Sequence, residues 1–164
     1  MLKRENLSLY FQTKRNSIRG VTPFEILVVV AILAVIITFS TSAFSRFTKQ
    51  KELDNTVVEI LATLEEARIL SLAAKDNLSY GVHFEDSEIT LFSGGTYSVS
   101  DPNNKITTLS ARIIATTTLS GGGRDVAFER LSGRTDNDGT INVFVAADSS
   151  ASTTIIIHTT GIAE

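Results

Sequence analysis

Three patterns of hydrophobic and polar residues follow one another along the chain. From Ile26 to Ile37 every side chain is apolar. Over residues 45–76 the apolar side chains recur every three or four positions, which is the period of an amphipathic helix. From Leu78 onwards apolar and polar positions alternate, as in strands with one buried face. The order of the patterns predicts an α+β protein with a helical first half and a β-rich domain over 78–164.

The apolar run is part of a segment long enough to cross a membrane. From Pro23 to Phe44 the segment covers about 33 Å as a helix, and a bilayer core is about 30 Å thick. Its Ser and Thr hydroxyls can bond back to helix carbonyls, so they are compatible with lipid. We therefore expect a transmembrane helix over 21–44. A buried core helix and the apolar part of a secretory signal peptide are the alternatives.

The charges of the chain are distributed unevenly around this segment. Residues 1–20 hold five of the 15 basic residues and one of the 18 acidic residues, although the whole chain has a net charge of -3. A basic flank is retained on the cytoplasmic side of a membrane. This predicts a cytoplasmic N-terminus in the inner membrane and a C-terminal domain in the periplasm or outside the cell.

The amphipathic segment is expected to continue the apolar helix. Neither Pro nor Gly occurs between positions 24 and 80, and Asp76-Asn77 is the expected end, so the amphipathic part covers 45–77. Its apolar stripe is expected to pack on the β domain. The stripe consists of Phe47, Leu53, Val57, Ile60, Leu61, Leu64, Ala67 and Leu70 or Ser71.

Six strands are predicted in the C-terminal domain, and short turns between them favour antiparallel pairing. The strands are Ser79–Phe84, Glu88–Phe92, Ala111–Thr117, Asp125–Arg130, Thr140–Ala146 and Thr153–Thr159. The turns are centred on 85–87, 94–95, 101–104, 121–123, 137–139 and 148–150.

The composition offers little material for catalysis. The chain has no Cys and two His, which excludes thiol nucleophiles, disulfides and Cys-ligated metals. His83 and His158 are expected to be ordinary strand residues. No catalytic residue, metal site or cofactor is predicted, and the chain is not expected to be an enzyme.

Three polar clusters have residue types that could form binding sites. Residues 136–139 (Asp-Asn-Asp-Gly) look like the start of a calcium loop, but the later Glu is missing, so an Asp-Gly hairpin turn is predicted. Gly121–Gly123 is expected to be a turn, since no Lys-Ser/Thr follows to bind phosphate. Arg124, Arg130 and Arg134 form a modest basic group in an acidic domain, and nucleic acid is not expected as a partner.

The junction before the apolar run carries a specific motif. A basic leader ends at Gly20, Val21 follows, and Glu25 is the fifth residue after Gly20, directly before the apolar run. This arrangement resembles the signal of the type IV pilin and pseudopilin family. Pro23 lies in the first turn of the predicted helix, where its missing N–H costs nothing.

The resemblance implies a processing pathway and an assembly role. A prepilin peptidase would cut after Gly20, remove residues 1–20 and methylate the new N-terminus at Val21. Glu25 would pair with the terminal amine of another subunit and set the register of a fibre. The implied partners are the peptidase, other pilin or pseudopilin subunits, an inner-membrane assembly platform and membrane lipid.

The order of a long helix and an all-β domain is also similar to H-type minor pseudopilins of type II secretion and to FimT-like minor pilins. The expected function is that of a structural subunit in a type IV pilus, a secretion pseudopilus or a DNA-uptake fibre. A single-pass anchored or secreted β-domain binding protein is the alternative. The sequence does not choose among the three fibre systems.

Overall fold

The structure, a computed structural model, describes residues 20–164, without the side chains of 39–43 and 45–46. The predicted leader, residues 1–20, therefore lies almost entirely outside the described residues. One helix, α1, runs from Pro23 to Leu72, and a single 3-10 turn follows at Lys75–Asn77. Seven strands come next: β1 (Tyr80–Phe84), β2 (Glu88–Ser93), β3 (Lys105–Thr108), β4 (Ile113–Leu119), β5 (Asp125–Phe128), β6 (Gly139–Val145) and β7 (Asp148–Ile157).

The chain divides into two compact units, Met1–Thr41 and Ser42–Glu164. The described part of the first unit contains the beginning of α1. The second unit contains the rest of α1 and all seven strands. Each unit is described by itself below.

The strands of the second unit form two antiparallel sheets, as the short turns predict. Sheet A has the strand order β3-β2-β1-β5, and sheet B has the order β4-β6-β7. In sheet A, Val82 of β1 lies between Leu91 of β2 and Val126 of β5. In sheet B the β4–β6 ladder extends over both whole strands, from Ile113 opposite Val145 to Leu119 opposite Gly139.

One hydrophobic core joins α1 to both sheets within the second unit. The helix contributes Leu53, Ile60, Leu64 and Ala67, all at most 1% exposed. Their spacing of three, four and seven keeps them on one face of the helix. The sheets contribute alternate strand residues, among them Val82, Phe84, Ile89, Ile113, Val126, Phe128, Ile141, Val143 and Ile155. The predicted packing of the amphipathic segment on the β domain is confirmed for these residues.

One position of the predicted stripe and one position outside it differ from expectation. Phe47 is 61% exposed, so the buried face begins at Leu53. Thr56, which the apolar pattern passes over, is buried, because its hydroxyl donates a hydrogen bond to the Glu52 carbonyl at 2.9 Å. A satisfied hydroxyl is cheap to bury.

The helix ends four residues earlier than the predicted Asp76. After Leu72 the backbone adopts left-handed conformations at Ala74 and Asp76, and a 3-10 turn replaces the helix. Buried Ser71 holds the next strand at this point. Its Oγ accepts the Tyr80 N–H at 2.8 Å, and its carbonyl accepts the Leu131 N–H at 2.9 Å.

The predicted strands are found with shifted ends, and one strand was missed. The missed strand β3 (Lys-Ile-Thr-Thr) pairs with β2 at the edge of sheet A, where its only apolar residue, Ile106, is 59% exposed. The turn predicted at 148–150 is wrong, because β7 already begins at Asp148. Val145 and Asp148 are paired, so Ala146 and Ala147 form the loop of this hairpin.

Candidate functional site

The residues that carry the predicted processing motif lie at the start of α1. Gly20, Val21 and Thr22 precede the helix, and all three are exposed. Val21 exposes 64% of its surface. Among the residues that the structure describes, no group lies within 4 Å of a Cβ atom added to Gly20.

Thr22 determines where the helix begins. Its Oγ1 accepts the Glu25 N–H at 3.2 Å, and its carbonyl accepts the Ile26 N–H at 3.2 Å. Pro23 is the first helical residue, as predicted, and needs no acceptor there. Thr22 and Glu25 also have the spacing of a capping box, a helix-start signal that the sequence analysis did not use.

Glu25 occupies the first turn of the helix and is exposed. A carboxylate is favoured there by the unpaired N–H groups of the helix start. Among residues 20–164 no cation forms an ion pair with Glu25. The predicted partner of Glu25 is the terminal amine of a second chain, so this pairing stays a prediction.

The helix beyond Glu25 exposes apolar side chains on all of its faces. Between Phe24 and Ile37 eleven large hydrophobic residues are 39% to 74% exposed: Phe24, Ile26, Leu27, Val28, Val29, Val30, Ile32, Leu33, Val35, Ile36 and Ile37. A helix that is apolar all round needs cover on every side. The described residues of the first unit do not provide that cover.

Over the residues that the structure describes, no helical stretch combines the length and the apolarity that crossing a membrane requires. The predicted transmembrane segment, 21–44, includes residues 39–43, whose side chains lie outside the described residues. It stays a prediction.

His83 has closer partners than an ordinary strand residue. Its Nδ1 lies 2.5 Å from Asp125 Oδ1, because the two residues are direct neighbours in the β1–β5 ladder. Its Nε2 lies 3.6 Å from Glu85 Oε1, and its ring stacks on Tyr97 with 3.9 Å between centroids. Tyr97 belongs to the loop between β2 and β3, so this loop covers the imidazole of His83. We interpret the group as an anchor for that loop.

The other polar clusters show no catalytic arrangement. No group of three His, Cys, Asp or Glu side chains that could hold a metal ion occurs in residues 20–164. The hairpin predicted at Asp138-Gly139 is wrong, because residues 129–138 connect β5 in sheet A to β6 in sheet B. Gly121–Gly123 does form the turn between β4 and β5. His158, just after β7, contacts Glu164 at 3.0 Å.

Two of the three arginines have polar partners within the chain. Arg124 pairs with Asp86 at 3.0 Å, and Arg130 donates to the Asn77 side chain at 2.6 Å. One of the three charges is therefore neutralised within the chain.

Comparison with known proteins supports the fold. No protein-family model matches the chain, and no curated protein matches it. Among solved structures, the type IV minor pilin FimU of Pseudomonas aeruginosa matches with a TM-score of 0.57 and 14% sequence identity. The match covers 72% of this chain and 90% of that chain. The chain therefore has a pilin-like α+β fold, as predicted.

Proposed function

We propose that the chain is a structural subunit, a minor pilin or pseudopilin, of a type IV pilus, a type II secretion pseudopilus or a DNA-uptake fibre. Two features support the proposal. The fold is that of a solved type IV minor pilin. The sequence before and within the start of α1 carries the predicted processing motif, with a basic leader, Gly20, Val21 and Glu25.

The exposed apolar surface between Phe24 and Ile37 is the observation that carries this proposal. Burying one large aliphatic side chain contributes about 1.5–3 kcal/mol. Covering even five of the eleven would contribute on the order of 10 kcal/mol before the entropic cost of association. A fibre core built from the same segment of many subunits supplies cover on all sides.

The position of Gly20 and Val21 before the helix supports the processing step. Gly20 and Val21 lie outside α1, so their peptide bond is not held in a helical ladder. In this proposal a prepilin peptidase cuts that bond and methylates the Val21 amine. Before the cut, the segment 21–44 anchors the precursor in the inner membrane, with residues 1–20 in the cytoplasm and the domain 78–164 on the other side.

Glu25 then gains a function that requires assembly. A carboxylate buried among apolar helices loses several kcal/mol of hydration unless it finds a cation. The new amine at Val21 is such a cation, and in a stack of subunits it belongs to a neighbour. The Glu25–amine pair would thereby fix the axial register of the fibre, which the inner-membrane assembly platform extends.

Mass spectrometry of the mature protein tests the processing step. We expect an N-terminus at methylated Val21. An intact Met1, or a terminus near Phe44, would contradict the proposal and favour the alternative, a membrane-anchored or secreted β-domain binding protein.

Substitution of Glu25 tests the assembly step. We expect Glu25→Ala and Glu25→Gln to be processed normally but to be recovered in sheared fibres at least tenfold less than wild type. Glu59→Ala is the matched control, because Glu59 is an exposed carboxylate on the same helix. Normal incorporation of both Glu25 variants would rule out the electrostatic role.

A further inference from the structure

Sheet A buries side chains on both of its faces. Ile89 and Leu91 of β2 belong to the core that sheet A shares with α1 and sheet B. Thr90 and Phe92 alternate with them and are each 1% exposed. Because successive side chains of a strand point to opposite faces, Thr90 and Phe92 lie on the face away from that core, which we call the outer face. The burial of these two residues therefore needs a separate cover.

The loop between β2 and β3, residues 94–104, contacts the outer face through Tyr97. The Tyr97 ring meets the Phe92 ring edge-on, with 5.8 Å between centroids, and lies flat on the His83 ring at 3.9 Å. Gly81 of β1 leaves the room for Phe92, since a Cβ atom there would lie 2.5 Å from the Phe92 ring. The position of Tyr97, and with it the cover of Phe92, therefore depends on the ring of His83.

Each nitrogen of the His83 ring faces a carboxylate. Nδ1 lies 2.5 Å from Oδ1 of Asp125 on β5, and Nε2 lies 3.6 Å from Oε1 of Glu85, directly after β1. The nearest cation along the chain, Arg124, directs its guanidinium to Asp86 at 3.0 Å. The loop adds one titratable group, the phenol that stacks on the ring. The His83 side chain is 14% exposed, so these groups form most of its surroundings.

The two charge states of an imidazole fit these surroundings differently. A neutral ring has one N–H donor and one acceptor nitrogen, so it can donate to only one of the two carboxylates. An imidazolium has two donors and can donate to both, and hydrogen bonds between charged groups are the stronger kind. Its positive charge is also attracted to the π face of the Tyr97 ring. Protonation of His83 therefore strengthens its contacts with Asp125, Glu85 and Tyr97 together.

We propose that His83 is a proton-operated latch for the β2–β3 loop. The protonated ring, fixed by the carboxylates of Asp125 and Glu85, holds Tyr97 and keeps the loop on the outer face of sheet A. Loss of the proton removes the hydrogen bond to one carboxylate and the attraction of the charged ring for Tyr97. The loop then opens more often, and each opening exposes Phe92 to solvent.

The direction of the pH dependence follows from the form that holds the loop. A histidine ordinarily changes its charge between about pH 5 and 8. The protonated form holds the loop, so the loop is held most firmly at the acid end of this range and is released as the pH rises. All groups of the latch belong to the second unit. The latch goes beyond the proposed function and does not depend on cleavage or on fibre assembly.

Hydrogen exchange of the full chain in detergent, followed by NMR from about pH 5 to 8, tests the latch. The Cε1 proton of His83 reports the charge of the ring, and the amides of residues 96–104 report the loop. After correction for the intrinsic pH dependence of amide exchange, the protection of these amides should fall at least about threefold as His83 loses its proton. The Gly122 amide, which donates to the Leu119 carbonyl in the β4–β5 turn, is the internal control and should keep its protection.

Three variants separate the parts of the latch. His83→Gln keeps a polar side chain without a titrating ring, so its loop protection should be low and independent of pH. Glu85→Gln should reduce the pH dependence, because one carboxylate becomes neutral. Tyr97→Leu should let His83 titrate without a response of the loop. The matched control is His158→Gln, since His158 is the other histidine of the chain and contacts Glu164 after β7, and this variant should keep the wild-type profile.

Several results would overturn the latch. Loop protection that stays constant while His83 titrates would do so, as would a His83 ring that keeps one charge state over the whole range. Protection that rises with pH would show that the neutral ring holds the loop. A wild-type profile in Tyr97→Leu would show that the loop responds to protons through other groups. The Glu85 side chain is 50% exposed, so Glu85→Gln and Tyr97→Leu decide the question even if His83→Gln does not fold.

Discussion

The first and the later part of α1 are both rich in apolar residues, yet they use them differently. Between Phe24 and Ile37 every large apolar side chain is at least 39% exposed. In the second unit, Leu53, Ile60 and Leu64 are at most 1% exposed. The difference lies in the pattern, because a continuous apolar run has no polar face to leave in water, whereas a stripe does.

The comparison shows where each part obtains its cover. The buried stripe of the amphipathic part is covered by two sheets from its own chain. The continuous apolar part receives no cover from the described residues of its own unit. In the proposed function, that cover comes from the fibre or from the membrane.

The largest expected effect comes from a core substitution on the amphipathic part. Ile60→Ala should lower the free energy of unfolding by about 2–5 kcal/mol, because Ile60 is fully buried and a cavity would remain. Ile32→Ala, in the apolar run, should change it by less than about 0.5 kcal/mol, since Ile32 is 54% exposed. Urea unfolding of the full chain in detergent, followed by near-UV circular dichroism, measures both.

Equal losses of unfolding free energy for Ile60→Ala and Ile32→Ala would contradict this difference between the two parts of α1. That result would mean that the apolar run is packed within a single copy. The fibre or membrane would then not be needed to cover it.

Much of this fold could be predicted because its patterns are strong. The buried stripe from Leu53 to Ala67 follows from periodicity, and six of the seven strands follow from alternation together with turn residues. The strand β3 could not be found this way, since an edge strand with one exposed Ile carries no alternation. The sequence also does not show which strands share a sheet. The Asp138-Gly139 pair therefore predicts a hairpin at a place where the chain passes from sheet A to sheet B.

In the candidate site, too, some features can be predicted from the sequence and others cannot. Gly20, Val21 and Glu25 are contiguous in the sequence, so their motif can be read directly. The capping role of Thr22 was also readable from its spacing to Glu25. The contact of His83 with Asp125 was not, because it depends on the register of two strands that are 42 residues apart.

A second substitution probes the C-terminal loop that closes on the amphipathic part. Gly161 has a φ of +81°, and a Cβ atom there would overlap the Gly133 carbonyl oxygen. Gly161→Ala should therefore cost about 2–3 kcal/mol of unfolding free energy, of which about 1–2 is backbone strain. Gly122→Ala, with a φ of +67° but open space, should show the strain alone. If Gly161→Ala and Gly122→Ala lose the same stability in thermal unfolding, the loop moves away from the Gly133 carbonyl at no cost in free energy.

A smaller loss of unfolding free energy is expected at the junction between the end of α1 and the start of β1. Ser71→Ala leaves the buried Tyr80 N–H without its acceptor, which costs about 1–3 kcal/mol. Thr63→Ala removes a hydroxyl of the same helix that only bonds back to Glu59 on the surface, and should cost less than about 0.5 kcal/mol. Urea unfolding measures the difference, and a Ser71→Ala variant as stable as Thr63→Ala would mean that water replaces the lost hydroxyl.

The smallest expected effect is a pH dependence at the same junction. Burial raises the pKa of Tyr80 above the ordinary value of 10.0. The Asp76 carboxylate, 3.3 Å from the Tyr80 hydroxyl, raises this pKa further. A raised pKa means that the folded state favours the neutral phenol, so this stabilisation is complete below pH 10 and is lost as the pH rises through the higher folded pKa. The free energy of unfolding should therefore fall more steeply above pH 10 for wild type than for Tyr80→Phe. The comparison with Tyr80→Phe removes the contributions of lysines and other tyrosines that titrate in the same range. Parallel pH profiles for the two proteins would show that Tyr80 ionises in the fold as readily as in water, and that the junction opens without unfolding the core.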